Sequence, residues 1–147
     1  MKDEVPIIVD SSVIAKWLCQ EGEIHIEMAN ALLDDLQEQR RDGYAPALSY
    51  YEIGNMLLCG KRLTPQKVRD ALELLYLLPL TFVHETFNVA MLTYKIAYDN
   101  AITYYDATFL ALAKTMGGTL VTDDIKHQTG ISGIDVIPLA AYPVAER

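Results

Sequence analysis

Acidic residues occur at four separate points where a strand is predicted to end or a helix to begin. Asp10 directly follows an apolar run, and Asp124 lies two residues after the end of a second run at residues 119–122. Glu52 and Asp106 each lie one turn into a predicted helix. Four carboxylates gathered at one place would repel one another, and some would take up protons unless a cation were present. Oxygen ligands suit Mg²⁺ or Mn²⁺, so the pattern predicts a divalent-metal site.

Phosphodiester hydrolysis is the reaction that such a site would support. A bound metal lowers the pKa of its water, so that hydroxide can attack the phosphorus in line near neutral pH. The metal also offsets the charge that builds on the phosphoryl and leaving oxygens, and a second metal, if bound, would lie about 3.5–4 Å away. No nucleophile from the protein is required.

Short apolar strands that alternate with helices are predicted to position these acids. The candidate strands are residues 6–10, 44–46, 80–83, 119–122 and 135–139. The segments between them carry helical periodicity, such as Ile24, Met28, Leu32 and Leu36 at intervals of four. This alternation predicts an α/β fold, a three-layer α/β/α sandwich with a central parallel sheet. Strand ends and helix starts share one edge of such a sheet, so we expect the acids to meet there, at a switch in strand order.

Each acid also has a simpler, structural explanation. Glu52 lies three residues after Ser49, and Asp106 three after Thr103, which is the spacing of a capping box. Asp124 could also cap a helix, and Asp10 could be an ordinary loop acid. For any one acid alone the structural reading is favoured, whereas the four together favour a site. Asp10 directly follows an apolar strand, where a structural role is least obvious.

The composition indicates one globular domain and restricts the partners. The chain has 147 residues, of which 51% are hydrophobic. Its net charge of -8 argues against a broad basic surface for nucleic acid, but not against an enzyme that touches a few phosphates through metal. Cys19 and Cys59 form no disulfide framework, so we expect a cytoplasmic protein. No apolar stretch reaches the roughly 18 residues of a membrane span, and no membrane partner is expected.

Four motifs resemble those of the PIN-domain nucleases, especially the VapC-like toxins of type II toxin–antitoxin pairs. The motifs are VDSSVIAKW at residues 9–17, SYYEIGNML at 49–57, YDA at 105–107 and LVTDD at 120–124. Each motif is weak alone, but the four occur in the right order across essentially the whole chain. The resemblance therefore implies a single PIN-like domain over residues 1–147.

The resemblance also implies a role for each matched acid. Asp10 and Asp106 would be the principal metal ligands. Glu52 and Asp124 would complete the acidic catalytic pocket, binding metal directly or through water. Asp123 is adjacent to Asp124, and we expect its side chain to point elsewhere.

Polar neighbours of the acids are assigned supporting roles by the same resemblance. Ser12 and Thr122 would donate hydrogen bonds to the carboxylates or to a metal-bound water. Asn55 would lie one helical turn from Glu52 on the same face. The implied activity is endonucleolytic cleavage of RNA with Mg²⁺ or Mn²⁺. The implied partners are a cognate antitoxin that holds the toxin inactive and a second copy of the chain in a homodimer.

A few other residues could approach the site. His127 lies three residues after Asp124, although a solvent-facing helix residue explains it more simply. Lys16, Lys61 and Arg62 are candidates for phosphate contacts, and the last two fit slightly better as a solvated pair at a helix end.

Three other classes of protein compete with the nuclease. A phosphoacceptor signalling domain would need an acidic pair after the first strand and a late Lys, but Ser11 follows Asp10 and no Lys follows the last strand. A phosphatase of the haloacid dehalogenase type would need a second Asp where Ser12 stands. A non-catalytic PIN-like module that binds RNA or protein remains open, because an intact set of acids argues against it without excluding it.

Overall fold

The computed structural model describes residues 5–125 and 130–145, in which strands and helices alternate along the chain. The strands are β1 (Ile7–Val9), β2 (Gly43–Pro46), β3 (Thr81–Val83), β4 (Thr119–Thr122) and β5 (Asp135–Pro138). The helices are α1 (Ser11–Leu18), α2 (Ile26–Gln37), α3 (Leu48–Asn55), α4 (Pro65–Leu77), α5 (Phe87–Asn100) and α6 (Tyr104–Met116). A π-helical turn (Met56–Gly60) extends α3, and a short 3₁₀ turn (Leu139–Ala141) follows β5.

All five strands are parallel, in the order β3-β2-β1-β4-β5. Ile8 of β1 pairs with Tyr44 on one side and with Leu120 on the other. The chain moves outward from β1 to β3 and then returns to place β4 on the opposite side of β1. The point where the strand order switches is therefore the gap between β1 and β4, which is where parallel sheets of this kind form their sites.

Helices cover both faces of the sheet, and the alternation of side chains along β1 divides the core between them. Ile7 and Val9 belong to the cluster that contains buried residues of α1, α2, α3 and α4. Ile8 belongs to the opposite cluster, with residues of α5 and α6. The predicted three-layer α/β/α sandwich is thus confirmed.

Two adjacent glycines allow the chain to leave α6 and enter β4 beside β1. Gly117 ends the helix at a φ of 61°, the left-handed conformation that glycine adopts most easily. A Cβ on Gly118 would lie 2.7 Å from both the carbonyl oxygen of Pro6 and Cδ1 of Ile8. The close approach of β4 to β1, and hence of Thr122 to Asp10, depends on this absent side chain.

Within the described ranges, no helix has the length and apolar character needed to cross a membrane.

Candidate metal-binding and active site

Asp10 is held at the carboxyl end of β1 by hydrogen bonds that converge on one of its oxygens. Its Oδ2 accepts from Ser12 Oγ at 2.5 Å, from Thr122 Oγ1 at 3.1 Å and from the backbone N of Ser12 at 3.3 Å. The bond from Ser12 N makes Asp10 the N-cap of α1. The expectation that Asp10 lacks an obvious structural role is therefore wrong, because the residue starts a helix as well as lining the site.

Two hydroxyl groups connect Asp10 to the backbone that follows β4. Ser12 Oγ accepts from the backbone N of Asp123 at 3.0 Å. Thr122 Oγ1 accepts from the backbone N of Asp124 at 2.9 Å. Each hydroxyl carries a single proton, which it donates to Asp10. The turn after β4 thereby sets the direction of both donors, and with them the orientation of the Asp10 carboxylate.

Glu52 extends from α3 towards the residues after β1. Its Oε1 accepts from Ser11 Oγ at 3.0 Å. Burial raises the pKa of Glu52, the hydrogen bond from Ser11 opposes that shift, and the negative charges of Asp10 and Asp106 add to it. The three carboxylates consequently lie within electrostatic reach of one another, although they come from three separate elements.

The capping-box reading of Glu52 is wrong. Helix α3 begins at Leu48, with Ala47 rather than Ser49 at the cap position. Ser49 lies inside the helix, and within the described part of the chain its hydroxyl is buried without a hydrogen-bond partner. Glu52 is thus released from a helix-capping role, which strengthens its interpretation as a site residue.

Asp106 lies in the first turn of α6 and is half-buried. Its backbone N donates to Thr103 Oγ1 at 3.0 Å, so Thr103 caps this helix as its spacing predicts. The positive end of the helix dipole favours a carboxylate at this position. Capping and a place in the acidic pocket are therefore compatible for Asp106.

The two adjacent aspartates after β4 have different surroundings. Asp123 Oδ2 lies 3.0 Å from Lys16 Nζ, and its Oδ1 lies 2.8 Å from His25 Nδ1. Asp124 is exposed at the same edge of the sheet as Asp10, and its charge is not among those that shift the pKa of Glu52. The structure thus brings Asp10, Glu52 and Asp106 together and places Asp124 at the rim.

Asn55 is exposed and accepts from the thiol of Cys59 at 3.3 Å.

The acids are better suited to a cation that keeps part of its hydration shell than to one coordinated entirely by protein side chains. In residues 5–125 and 130–145, no three His, Cys, Asp or Glu side chains form a ready-made metal-binding group. Mg²⁺ keeps several of its waters and is usually bound through one or two carboxylates together with substrate phosphates, so closer convergence is not required. The donor set of Asp10, Glu52 and Asp106 is all oxygen, and a dication would relieve the repulsion that adds to burial in raising the pKa of Glu52. The residues therefore fit Mg²⁺ or Mn²⁺.

An ion-pair cluster beside the acids was missed by the sequence analysis. Lys16, a candidate for phosphate contact, is only 2% exposed. Its Nζ lies 3.0 Å from both Glu23 Oε2 and Asp123 Oδ2, and Glu23 Oε1 lies 3.1 Å from Lys61 Nζ. Lys16 follows Ser12 by four residues and therefore shares its face of α1, and this spacing is the signal that could have revealed the cluster.

The charges within this cluster reinforce one another. Burial acts to lower the pKa of Lys16, but the hydrogen bonds to Glu23 and Asp123 and the negative charges of both acids together outweigh burial and raise that pKa. Burial acts to raise the pKa of Glu23, but the hydrogen bonds from Lys16 and Lys61 and the positive charges of both lysines together outweigh burial and lower that pKa. The ion pairs are thus maintained across the neutral range. His127 lies outside the described residues.

The fold and site define a doubly wound α/β domain that carries an acidic site at its switch point. The sequence model of the PIN domain family matches residues 7–129. Because this match spans most of the chain, the protein belongs to the PIN domain family, and the resemblance noted from the four motifs is confirmed. No curated protein sequence matches the chain significantly.

Solved structures with the same fold come from several bacteria. FitAcB from Neisseria gonorrhoeae is similar with a TM-score of 0.68 and 23% identity, over 92% of this chain and 99% of that one. DNA-bound VapBC from Salmonella typhimurium has a TM-score of 0.66 and 16% identity, over 92% and 98%. VapC20 from Mycobacterium tuberculosis, described as a toxin that cleaves the sarcin–ricin loop, has a TM-score of 0.60 and 15% identity, over 78% and 86%. At these identities the comparisons show the fold.

Proposed function

We propose that this protein is an Mg²⁺- or Mn²⁺-dependent endoribonuclease and the toxin of a toxin–antitoxin pair. The observation that carries the proposal is the fixed Asp10 carboxylate at the switch point, with Glu52 and Asp106 near enough to affect each other's charge. Membership of the PIN family supports nuclease chemistry. The structural neighbours add support, since they include a Klebsiella pneumoniae toxin–antitoxin complex and a toxin named for cleaving the sarcin–ricin loop.

In this proposal Asp10 and Asp106 hold the metal, and Glu52 and Asp124 complete the pocket. Bound Mg²⁺ or Mn²⁺ would supply an activated water and offset charge on the phosphoryl oxygens. Ser12 and Thr122 keep the Asp10 carboxylate in one orientation through the hydrogen bonds described above. Ser11 does the same for Glu52. The contribution of the protein is thus to hold carboxylates at fixed positions so that little rearrangement is needed during the reaction.

Cleavage of an end-labelled RNA panel with Mg²⁺ or Mn²⁺ tests the activity. Asp10→Asn keeps a good N-cap for α1 but removes the charge, and we expect it to lower the cleavage rate at least about 100-fold, since even outer-shell partners of metals are worth 10- to 100-fold. Asp70→Asn, on the exposed side of α4, is the matched control and should cleave like the wild type. Equal rates for wild type and Asp10→Asn would contradict the proposal.

The main alternative is a non-catalytic PIN-like module that binds RNA or protein. The absence of a ready-made metal cage among the described residues is the observation that favours it. Binding of the RNA panel without cleavage, unaffected by Mg²⁺, Mn²⁺ or Asp10→Asn, would support this alternative over the nuclease.

A cognate antitoxin and a cytoplasmic location complete the proposed biological role. Cys19 and Cys59 are both free thiols, which is consistent with a reducing compartment. Co-expression with the product of a short neighbouring open reading frame should abolish cleavage and yield a complex that co-purifies. If no neighbouring product inhibits the purified protein, the toxin role fails while the nuclease activity can still be measured.

We also propose that the chain forms a homodimer. Helix α5 exposes a row of large apolar side chains at helical spacing, Phe87, Met91, Tyr94 and Tyr98. Such a stripe is typical of an interface between proteins. Light scattering after size exclusion should give twice the monomer mass for the wild type, and Tyr94→Glu should give the monomer mass. A monomeric wild type would contradict the homodimer.

A further inference from the structure

Lys16 has no part in the function proposed above, yet it is one of the most deeply buried charged groups in the described residues. Its side chain is 3% exposed, and it bridges Glu23 and Asp123 at 3.0 Å each. A buried ammonium loses its hydration, and well-packed apolar side chains often replace buried ion pairs without loss of stability. The presence of a charge here therefore calls for an explanation other than stability.

The partners of Lys16 connect it to Asp10 by a continuous series of hydrogen bonds. Lys16 fixes the side chain of Asp123, and the backbone N of Asp123 donates to Ser12 Oγ. Ser12 Oγ in turn donates its proton to Asp10 Oδ2. The adjacent residue, Asp124, donates its backbone N to Thr122 Oγ1, which also donates to Asp10 Oδ2. The turn that Lys16 anchors therefore carries both amides that orient the hydroxyl donors.

The same ion pair also gives two adjacent acids different surroundings. Both oxygens of Asp123 are engaged within the described residues, Oδ2 by Lys16 at 3.0 Å and Oδ1 by His25 at 2.8 Å. Asp124, the next residue, stays exposed at the edge of the site. Without Lys16, the Asp123 carboxylate would lose its buried counter-charge beside an already acidic pocket.

We propose that Lys16 is a positioning residue that anchors Asp123, thereby orienting the Asp10 carboxylate for metal and keeping Asp123 out of the metal site. The inference rests on the proposed metal-dependent function. Lys16 touches neither RNA nor metal in this scheme and acts through Asp123 and Ser12. Lys61 provides a matched control, because it contacts the same cluster through Glu23 and the backbone of Glu21.

The test compares Lys16→Met with Lys61→Met in the full chain. We expect Lys16→Met to weaken Mn²⁺ binding, measured by titration calorimetry, about 10-fold, the lower end of the effect of outer-shell partners. RNA cleavage by Lys16→Met should lose about 10- to 100-fold in kcat, while KM for RNA changes less than about three-fold. Lys61→Met should stay within about two-fold of the wild type in Mn²⁺ affinity.

Asp123→Asn tests the same link from the other side and keeps the shape of the side chain. It should also weaken Mn²⁺ binding, and the double variant Lys16→Met with Asp123→Asn should be no weaker than Lys16→Met alone, because both changes break one interaction. Amide hydrogen exchange at residues 123 and 124 should be faster in Lys16→Met than in Lys61→Met. This readout requires neither metal nor RNA.

The outcomes separate the inference from the proposed function. Folded Lys16→Met with wild-type Mn²⁺ affinity, or equal losses in Lys16→Met and Lys61→Met, overturns the inference. If Lys16→Met fails to fold, Lys16→Arg takes its place in the double-variant comparison. The inference is then overturned if the losses of Mn²⁺ affinity caused by Lys16→Arg and by Asp123→Asn add up in the folded variant that carries both changes. A wild type that binds no Mn²⁺ also overturns it. A wild type that binds Mn²⁺ but leaves every RNA intact overturns the proposed nuclease, while the metal-affinity comparison still decides the role of Lys16.

Discussion

Replacing Thr122 by Val tests whether the acidic site depends on the hydroxyl that orients Asp10. The two side chains have nearly the same shape, so the change removes one buried hydroxyl from a fully buried residue. That hydroxyl donates to the Asp10 carboxylate at 3.1 Å and accepts from the backbone N of Asp124 at 2.9 Å. The variant therefore loses one hydrogen bond to a charged group and one to a backbone amide.

The magnitude follows from those two bonds. A hydrogen bond to a charged group contributes about 1.5–3 kcal/mol, and a neutral one about 1 kcal/mol. Water can replace part of the second bond because Asp124 is exposed. We therefore expect Thr122→Val to lower the free energy of unfolding by about 2–3 kcal/mol. For a chain of this length, that loss corresponds to a fall in Tm of roughly 4–12 °C.

Thr93→Val is the matched control for this measurement. Thr93 is equally buried, but its hydroxyl donates to the neutral carbonyl of Val89 within α5 at 2.7 Å. Because that carbonyl also takes part in the helix ladder, we expect a cost of at most about 1 kcal/mol. Thermal and urea unfolding of metal-free protein at pH 7 give both values. Equal losses in the two variants would show that Thr122 is an ordinary buried threonine and refute the argument.

Three further predictions concern the acids and the sheet. In metal-free protein, Glu52→Gln should raise the free energy of unfolding at neutral pH. The folded-state pKa of Glu52 lies above its ordinary 4.5, so ionisation of Glu52 opposes folding. Thermal scans should therefore show that the gain vanishes below about pH 4.5, where Glu52 is protonated in both states. Mn²⁺ at about 100 times its Kd should stabilise the wild type by about 2.7 kcal/mol in calorimetry, and a similar gain in Asp10→Asn would contradict the assignment of Asp10 as a ligand. Gly118→Ala should cost about 1–3 kcal/mol in urea unfolding because its Cβ meets Pro6 and Ile8, whereas Gly54→Ala, with open space around it, should be neutral or stabilising.

Local sequence patterns predicted most of the secondary structure because those patterns act over a few residues. The run at residues 6–10 contains β1, and Thr64-Pro65, a common pair at helix starts, begins α4 with Thr64 as the cap. The start of α3 was misplaced for a non-local reason. The backbone N of Ala47 donates to the carbonyl of Val83 in β3, so the chain turns into the helix before Ser49 is reached.

The sequence predicted which residues belong to the acidic site better than it predicted the hydrogen bonds between them. Asp10 and Thr122 could be placed at one edge of the sheet because parallel strands end together. That Ser11 rather than Ser49 contacts Glu52 could not be predicted, since Ser11 and Glu52 are 41 residues apart in the chain. Hydrogen bonds over such distances depend on how helices pack, and one sequence contains no direct record of that packing.

The sequence by itself determined the α/β alternation, the number and type of acids, and the strand ends at which they stand, because these follow from periodicity and residue chemistry. Only the tertiary structure decided that β4 lies against β1, that Asp10 caps α1 while Thr122 orients it, and that Lys16 is directed inward to Asp123. The physical reason is that a buried charge or hydroxyl takes whichever partner the packing brings within about 3 Å. For Lys16 and Asp123, that partner lies more than 100 residues away along the chain.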